Sequence, residues 1–137
     1  MDCIFCKIVK GEIDSIKIFE NEHVLAFLDV VPQTKGHCLV VPKQHFENIF
    51  DIDKAFLQKI AVTAKDISEK IKNNLKADGI RLSQSNGRAA GQEIMHFHLH
   101  IIPRYAGDGI SKDGIGKAHP KKADVNELEK LAAKINN

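Results

Sequence analysis

Residues 53–75 carry hydrophobic side chains at intervals of three and four positions. That spacing places the apolar side chains on one face of an amphipathic helix. The residues of this face are Phe56, Leu57, Ile60, Ala64, Ile67, Ile71 and Leu75. Asp51 or Asp53 can cap the start, and Gly79 follows the end. We therefore predict a long helix from Asp53 to about Leu75.

A shorter helix is predicted near the C-terminus, from Val125 to about Ile135. Its apolar face consists of Val125, Leu128, Leu131 and Ile135. Asp124 can act as the N-cap, and Glu127, three residues later, completes a capping-box sequence. The preceding residues 104–122 contain five glycines or prolines and are predicted to be irregular.

Short segments rich in β-branched and aromatic residues predict strands. They are residues 16–19, 24–27, 37–41, 80–84 and 95–102. Polar residues 20–22 predict a tight turn between the first two strands. Pro42 and Pro103 are predicted to end the third and the fifth, because proline cannot donate to a strand ladder. Successive strands without a helix between each pair favour antiparallel pairing. We therefore predict an α+β fold, mostly an antiparallel sheet of about five strands with one long helix and a short C-terminal helix.

Length and composition limit the class of protein. The chain has 137 residues, a size typical of a single domain. No segment approaches the ~20 apolar residues of a membrane helix, and the N-terminus carries no secretory pattern. The net charge of +2 is too balanced for a dedicated nucleic-acid-binding protein. Three cysteines are too few for a disulfide scaffold, so we expect a reducing, cytoplasmic setting.

The most informative segment is residues 96–102, in which His96, His98 and His100 alternate with apolar residues. Side chains alternate between the faces of a strand, so the three imidazoles are predicted to share one face at a spacing of about 7 Å. Three interpretations are open: a structural role, a metal site built from His98 and His100, and nucleophilic catalysis at phosphorus. The last is favoured because a neutral imidazole is nucleophilic at neutral pH, and its neighbours can donate protons to a phosphate.

Cys3 and Cys6 form a Cys-x-x-Cys motif. This spacing suits tetrahedral zinc, but it also occurs in redox pairs. Cys38 is isolated and no second Cys-x-x-Cys is present, so the remaining ligands of a zinc site would have to be histidines. Reduced thiols without a metal are the alternative.

Residues 96–102 resemble the signature of the histidine triad family of nucleotide hydrolases and transferases. That signature is His-φ-His-φ-His-φ-φ, where φ is apolar, and the segment matches it at every position. Further segments resemble family segments in family order: residues 3–8, 25–29, 36–43, 90–92 and 102–104. The resemblance covers nearly all of residues 3–105 and implies the histidine triad fold. We expect one domain over residues 1–137, with a core that carries the nucleotide site at 1–105 and a Gly-rich tail and C-terminal helix at 106–137.

The resemblance implies a catalytic set of four histidines: His37, His96, His98 and His100. His98 would attack the α-phosphorus and form a nucleotidyl-histidine that water later hydrolyses. His100 would bind the phosphate oxygens. His37 would orient the nucleophile through a network of hydrogen-bonded histidines.

The same resemblance implies a purine nucleotide site. Asp29 would accept hydrogen bonds from the ribose, apolar side chains would clamp the purine, and backbone N–H groups of residues 91–93 would face the phosphate. The expected nucleotide-binding residues are Ile4, Phe5, Ile8, Phe27, Asp29, Val30, Leu39, Ser85, Asn86, Gly91, Gln92, Glu93, His98 and His100. Core packing is the alternative for each apolar residue, and a turn position is the alternative for Asp29.

Two positions depart from the family pattern. Ser85 stands where members often carry asparagine, although Asn86 is adjacent. Glu93 stands where other members have serine or threonine beside the leaving group. A carboxylate there changes the electrostatics at the scissile bond, so the leaving group is left open.

Some members of the family, and the related galactose-1-phosphate uridylyltransferases, bind zinc through two N-terminal cysteines and two histidines. The resemblance therefore implies a structural Zn²⁺ held by Cys3, Cys6, His45 and His96, and no organic cofactor. This zinc would fasten the N-terminus to the sheet. The resemblance also implies a homodimer whose sheet continues across two subunits.

We therefore predict a hydrolase that acts at the α-phosphate of a purine nucleotide conjugate, such as a nucleoside phosphoramidate, and releases nucleoside monophosphate. Two alternatives are open. Residues 102–108 resemble members that hydrolyse diadenosine polyphosphates, and the chain could instead be a non-catalytic nucleotide- or zinc-binding interaction protein. Neither a nucleic-acid partner nor a membrane partner is expected.

Overall fold

A five-stranded sheet and three α-helices make up the part of the protein that the computed structural model describes, residues 2–110 and 120–137. The strands are β1 (Lys17–Glu20), β2 (Val24–Leu28), β3 (Cys38–Pro42), β4 (Gly79–Ser83) and β5 (Leu99–Arg104). The helices are α1 (Ile4–Val9), α2 (Lys54–Leu75) and α3 (Val125–Ile135), and a 3₁₀ turn covers Arg88–Ala90. All strand pairs are antiparallel, in the order β1-β2-β3-β5-β4. The predicted α+β class and five-stranded antiparallel sheet are confirmed.

The central strands β2 and β3 are buried along their whole length because both faces of the sheet are covered. One face packs against α2 and α3 through Val24, Ala26, Leu28, Cys38 and Val40. The alternate side chains pack on the other face with the buried residues of α1 and its cap; they are Leu25, Phe27, Leu39 and Val41. Burial on both faces explains why these strands are continuous apolar runs in the sequence.

Carboxylate caps fix the starts of α2 and α3. The Asp53 Oδ1 atom accepts the N–H of Ala55 at 2.8 Å, and Asp124 Oδ2 accepts the N–H of Glu127 at 3.3 Å. Asp51, the alternative cap, instead accepts two backbone N–H groups of the preceding turn. Since these caps satisfy N–H groups that have no partner within the helix, they explain where α2 and α3 begin.

The strand that carries the histidines begins later than predicted. β5 starts at Leu99, so His96 and His98 lie in the segment that precedes it. There the N–H of Phe97 donates to the carbonyl of Phe46 at 2.7 Å, and no strand ladder forms. The predicted start at residue 95 is therefore wrong, because loop contacts replace strand pairing before Leu99.

Of the two prolines predicted to end strands, one does so and the other lies inside its strand. Pro42 is the last residue of β3, and Pro103 lies within β5. The carbonyl of Pro103 accepts a hydrogen bond from the Thr34 hydroxyl. The Pro103 carbonyl therefore points to the side of β5 that faces β3, and on that side the last residue pair of the ladder is Cys38–Ile101. The nitrogen and carbonyl of one residue point to the same side of an antiparallel strand, so Pro103 removes no ladder hydrogen bond.

Helix α1 has no counterpart among the predicted elements. It is six residues long, too short for a helical hydrophobic period to be recognised. Its N-cap is Cys3, whose sulfur accepts the N–H of Cys6 at 3.4 Å. Phe5 and Ile8 are its buried residues. This helix covers the face of the sheet opposite α2.

The irregular tail after β5 is described as far as residue 110. Asp108 closes a turn there, because its carboxylate accepts hydrogen bonds from the guanidinium of Arg104 and the N–H of Tyr105. Residues 111–119, which include most of the Gly-rich segment 107–116, lie outside the described part of the chain. Among the described helices, none has the length and apolar character needed to cross a membrane.

Candidate active site and metal centre

A cleft of about 400 Å³ lies between α1, β2 and the histidine segment. Most of the predicted nucleotide-binding residues line it: Ile4, Phe5, Ile8, Phe27, Asp29, Val30, Leu39, Gly91, Glu93, His98 and His100. The lining also includes residues that the sequence analysis does not single out, namely Ile13, Asp14, Ser15, Leu28 and Ile94. Residues 13–15 connect α1 to β1, and their place on the cleft follows from the docking of α1. No sequence motif marks that docking.

A backbone carbonyl fixes the tautomer of His98. The Nδ1 atom of His98 lies 2.7 Å from the backbone carbonyl oxygen of His96. A carbonyl can only accept, so Nδ1 carries the ring proton and donates it. The Nε2 atom of neutral His98 therefore holds an unshared electron pair. Since His98 lines the cleft, this ring can act as a nucleophile there.

A second chain of hydrogen bonds fixes the tautomers of His37 and His100. The N–H of Gln33 donates to Nδ1 of His37 at 2.9 Å, so the proton of neutral His37 lies on Nε2. That Nε2–H donates to Nδ1 of His100, also at 2.9 Å. The remaining ring proton of His100 must then be on Nε2. His100 thus lines the cleft as a hydrogen-bond donor of the kind that binds phosphate oxygens.

Burial keeps these three imidazoles neutral at pH 7. It lowers the pKa of His98 below its ordinary value, against the opposing effects of the His96 carbonyl and the Asp29 carboxylate. It also lowers the pKa of His37, again opposed by Asp29. For His100, burial followed by repulsion from His37 and His98 lowers the pKa to about 3. A neutral imidazole is the nucleophilic form, so His98 is in the reactive state at neutral pH.

Asp29 combines the two roles considered for it. Its Oδ1 atom accepts the N–H of Val31 at 2.9 Å, as a turn residue does. Its Oδ2 atom lies 3.6 Å from Nε2 of His37, and the residue lines the cleft. The turn therefore holds the carboxylate beside the histidine network, where it can also accept hydrogen bonds from a ligand.

Three of the predicted nucleotide-binding residues do not line the cleft: Ser85, Asn86 and Gln92. Asn86 Oδ1 accepts the N–H of Ile49 at 2.7 Å. Gln92 is buried and ties the loop together, because its side chain accepts from the N–H of Gly87 and donates to the carbonyl of Glu47, both at 2.7 Å.

In the 3₁₀ turn beside the cleft, backbone N–H groups donate to carbonyls of the same turn. Gly91 has a φ of +93°, which only glycine adopts readily. Its N–H donates to the carbonyl of Arg88 at 2.9 Å, and the N–H of Gln92 donates to that of Gly87 at 3.0 Å. The 3₁₀ turn therefore engages the N–H groups of Gly91 and Gln92, and the expectation that N–H groups of residues 91–93 face a phosphate stays a prediction.

Four side chains from distant parts of the chain converge at the base of α1: Cys3, Cys6, His45 and His96. Sulfur–nitrogen distances are 3.4 Å for Cys3–His96, 3.3 Å for Cys6–His45 and 3.5 Å for Cys6–His96. The two Nδ1 atoms, of His45 and His96, are 3.1 Å apart. Tetrahedral zinc with ordinary bond lengths requires about 3.5 Å between sulfur and nitrogen and about 3.3 Å between two nitrogens. The four donors therefore fit a zinc ion.

The surroundings of the cluster also fit a metal. The Nε2–H of His96 donates to the carbonyl of Pro42 at 2.9 Å, which turns the unprotonated Nδ1 toward the other three donors. Such a carbonyl partner is typical of metal-binding histidines. Burial lowers the pKa of His96 to about 4, so the ring is neutral and able to bind a metal. With both ring nitrogens engaged in this way, His96 belongs to the metal cluster, while His98 and His100 belong to the cleft.

Comparison with known proteins agrees with this geometry. The family model of the HIT domain matches residues 10–107. The chain belongs to the HIT domain family. It is 39% identical over 135 residues to protein hit of Bacillus subtilis, an alignment that covers 98% of this chain and 92% of the relative. It is 38% identical over 130 residues to the adenosine 5′-monophosphoramidase of Saccharomyces cerevisiae, with 94% and 77% covered.

The HIT family fold is also seen in solved structures. A Zn-bound histidine triad family protein of Mycobacterium smegmatis superimposes with a TM-score of 0.85 at 34% sequence identity. The superposition covers 98% of this chain and 94% of the other. The family match begins at residue 10, so Cys3 and Cys6 lie outside it, whereas the structural match extends over nearly the whole chain. The histidine triad fold that the sequence implied is thereby confirmed.

Proposed function

We propose that the protein hydrolyses nucleoside phosphoramidates at the α-phosphorus through a covalent nucleotidyl-His98 intermediate. The observation that carries this proposal is the tautomer of His98, whose Nδ1–H is held by the His96 carbonyl so that Nε2 keeps its electron pair. The monophosphoramidase activity named for the yeast relative supports the reaction class.

In the first step, Nε2 of His98 forms a bond to phosphorus while the phosphorus–nitrogen bond breaks. The departing amine takes a proton from water. In the second step, water attacks phosphorus, the bond between phosphorus and Nε2 of His98 breaks, and nucleoside monophosphate leaves. The proton that the attacking water loses goes to the hydroxide left by the first step, so the His98 ring is returned neutral. The Nε2–H of His100 donates to a phosphate oxygen as negative charge develops, and His37 keeps that proton on Nε2 by donating to Nδ1 of His100.

The cleft accommodates the nucleoside in this proposal. Its apolar residues, among them Ile8, Phe27 and Leu39, contact the purine, and Asp29 accepts hydrogen bonds from the ribose hydroxyls. Gly91 and Glu93 also line the cleft, and the proposal assigns them to the phosphate and the leaving group. Ser85, Asn86 and Gln92 contribute by shaping the loop, since their side chains lie outside the cleft.

Cys3, Cys6, His45 and His96 hold a structural zinc ion in this account. A bound zinc ion would neutralise the two thiolates and cross-link α1 to the segments that carry His45 and His96, and no step of the reaction involves it. A cytoplasmic location agrees with three free cysteines that have to remain reduced. The family resemblance further leads us to propose a homodimer, which sedimentation of the purified protein would test.

Turnover of an adenosine phosphoramidate by the His98→Asn variant tests the proposal. Asparagine cannot attack phosphorus, so we expect turnover to fall at least about a hundredfold, with AMP binding retained. His23→Asn is the matched control, because His23 is half-buried against Phe56 and belongs to neither the cleft lining nor the metal cluster. Undiminished turnover in His98→Asn would overturn the proposal.

The two alternatives receive less support. Within the stretch that resembles diadenosine polyphosphate hydrolases, Arg104 is bonded to Asp108 and to the carbonyl of Ile110, and none of these residues lines the cleft. Nucleotide binding alone does not require a nucleophilic histidine in the cleft. The tautomer of His98 therefore favours catalysis over a non-catalytic binding protein. Binding of AMP without turnover of any phosphoramidate would favour that alternative.

A further inference from the structure

Few bonds attach the N-terminal segment, residues 2–15, to the rest of the protein. Within the described part of the chain, its backbone hydrogen bonds all stay inside the segment, as in the bond from the N–H of Glu12 to the carbonyl of Lys7. The polar contacts that leave the segment are those of the Cys3 and Cys6 sulfurs with His45 and His96. Apart from its apolar packing, α1 is therefore held in place through the metal cluster.

The same helix forms one wall of the nucleotide cleft. Ile4, Phe5 and Ile8 line the cleft, while the cysteines that precede and follow Ile4 and Phe5 belong to the metal cluster. A helix of six residues is too short to bend between these two sets. Displacement of the cysteines would move the cleft wall with them.

Phe5 joins the two sites through its ring. It is only 4% exposed and makes edge contacts with His96 at 5.8 Å, His98 at 5.1 Å and Phe27 at 5.7 Å between ring centroids. One side chain thus contacts a metal-cluster histidine, the proposed nucleophile and the apolar floor of the cleft. Aromatic pairs in this geometry are attractive, so the ring favours one arrangement of all three.

The backbone provides a second connection. His96 offers Nδ1 to the metal cluster, and its own carbonyl oxygen accepts the Nδ1–H of His98. Rotation of the His96 backbone would therefore disturb a metal ligand and the tautomer of the nucleophile together. Two independent contacts, through Phe5 and through this carbonyl, run from the cluster to the cleft.

We propose that zinc at the Cys3–Cys6–His45–His96 cluster and a nucleotide in the cleft bind with positive cooperativity, and that Phe5 is the positioning residue that couples them. This inference rests on the proposed nucleotide site. Zinc fixes α1, so a nucleotide meets a cleft wall that is already in place. By thermodynamic reciprocity, a bound nucleotide must hold zinc more tightly by the same factor.

Binding of AMP, the product expected from an adenosine substrate, tests the cooperativity. Its affinity is measured calorimetrically on zinc-loaded and chelator-stripped protein, and we expect the loaded form to bind at least about fivefold more tightly. A second titration starts from loaded protein and measures zinc loss to a competing chelator with and without saturating AMP. AMP should raise the zinc affinity by the same factor.

Variants of α1 test the coupling role of Phe5. Phe5→Leu keeps an apolar side chain but removes the ring contacts, and should reduce the ratio of AMP affinities in loaded and stripped protein toward one. Phe5→Met is the second variant if leucine packs poorly. Lys7→Gln is the control on the same helix, because the Lys7 side chain pairs with Asp2 and belongs to neither the cleft lining nor the metal cluster. It should leave the ratio unchanged.

The outcomes separate this inference from the proposed function. Equal AMP affinity with and without zinc, together with equal zinc affinity with and without AMP, would overturn the cooperativity alone. An equal loss of AMP affinity in both forms of Phe5→Leu would make Phe5 a simple lining residue and overturn its coupling role. Absence of AMP binding to the loaded protein would overturn both the nucleotide site and the inference.

Discussion

Replacement of Gly36 by alanine tests how closely the segment before β3 packs on the sheet. Gly36 has a φ of +93°, and a Cβ added there would lie 2.7 Å from Cδ1 of Leu75 and 3.2 Å from Cγ of Pro103. Both neighbours are constrained, since Leu75 is buried at the end of α2 and Pro103 is a ring within β5. The segment has little room to accept a methyl group.

The expected destabilisation has two parts. A left-handed backbone costs an L-residue about 1–2 kcal/mol, and overpacking in a closed site costs about 1–3 kcal/mol. We therefore expect Gly36→Ala to lower the free energy of unfolding by about 2–5 kcal/mol. Gly11→Ala is the matched control, because Gly11 has a φ of +79° and nothing lies within 4 Å of its added Cβ. It should cost only the backbone part, about 1–2 kcal/mol.

Urea unfolding of the two zinc-loaded variants measures the difference between their free energies of unfolding, provided that the slope of free energy against urea concentration is the same in both. We expect a difference of about 1–3 kcal/mol. Relief of the clash would also shift His37, the next residue, away from Nδ1 of His100, so kcat/KM should fall in Gly36→Ala and not in Gly11→Ala. A difference below about 0.5 kcal/mol, within the scatter of surface substitutions, would refute the packing argument.

Three further predictions concern the loop, the metal and pH. Gln92→Ala should lower the free energy of unfolding by about 1–3 kcal/mol in urea titrations, because buried partners at Gly87 and Glu47 lose their hydrogen bonds; a change near zero would contradict the loop-tying role. Purified wild-type protein should contain one zinc per chain by elemental analysis and Cys6→Ser much less, whereas Cys38→Ser, outside the cluster, should retain it; equal zinc in both variants would place the metal elsewhere. The lowered pKa of His100 means that the unfolded chain takes up a proton there as pH falls below about 6.5 while the folded protein stays neutral. The free energy of unfolding should therefore fall between pH 6.5 and 5. In His100→Asn it should fall less steeply, with a slope smaller by up to about 1.4 kcal/mol per pH unit. Identical slopes in the two proteins would show that His100 is not buried in its neutral form.

Periodicity and local chemistry made much of this protein predictable. The apolar spacing of residues 53–75 survives in α2, and the alternation around His98 and His100 separates a cleft face from the core face that holds Ile101. Cys-x-x-Cys and the histidine spacing are local sequence patterns, so the two functional clusters could be anticipated before their geometry was known. The structure brings the four expected metal ligands together and places most of the expected cleft residues on one cavity.

The remaining features depend on contacts between distant residues. Helix α1 is stabilised by packing and by sulfur–imidazole contacts to His45 and His96. These partners are far from α1 in the sequence, so the local sequence does not reveal the helix. The late start of β5 follows from the bond between Phe97 and Phe46. Gln92 resembled a ligand residue, yet its side chain is consumed by the loop because its partners lie 45 positions away at Glu47 and nearby at Gly87.

The covalent intermediate is the central claim of the account. Zinc-loaded protein is mixed with an adenosine phosphoramidate, quenched within milliseconds and examined by intact-mass spectrometry. The account predicts a transient mass gain of one adenylate, mapped to His98 by digestion and absent from His98→Asn, while His23→Asn still forms it. Release of AMP with no adduct at any quench time, or an adduct that persists in His98→Asn, would contradict the account.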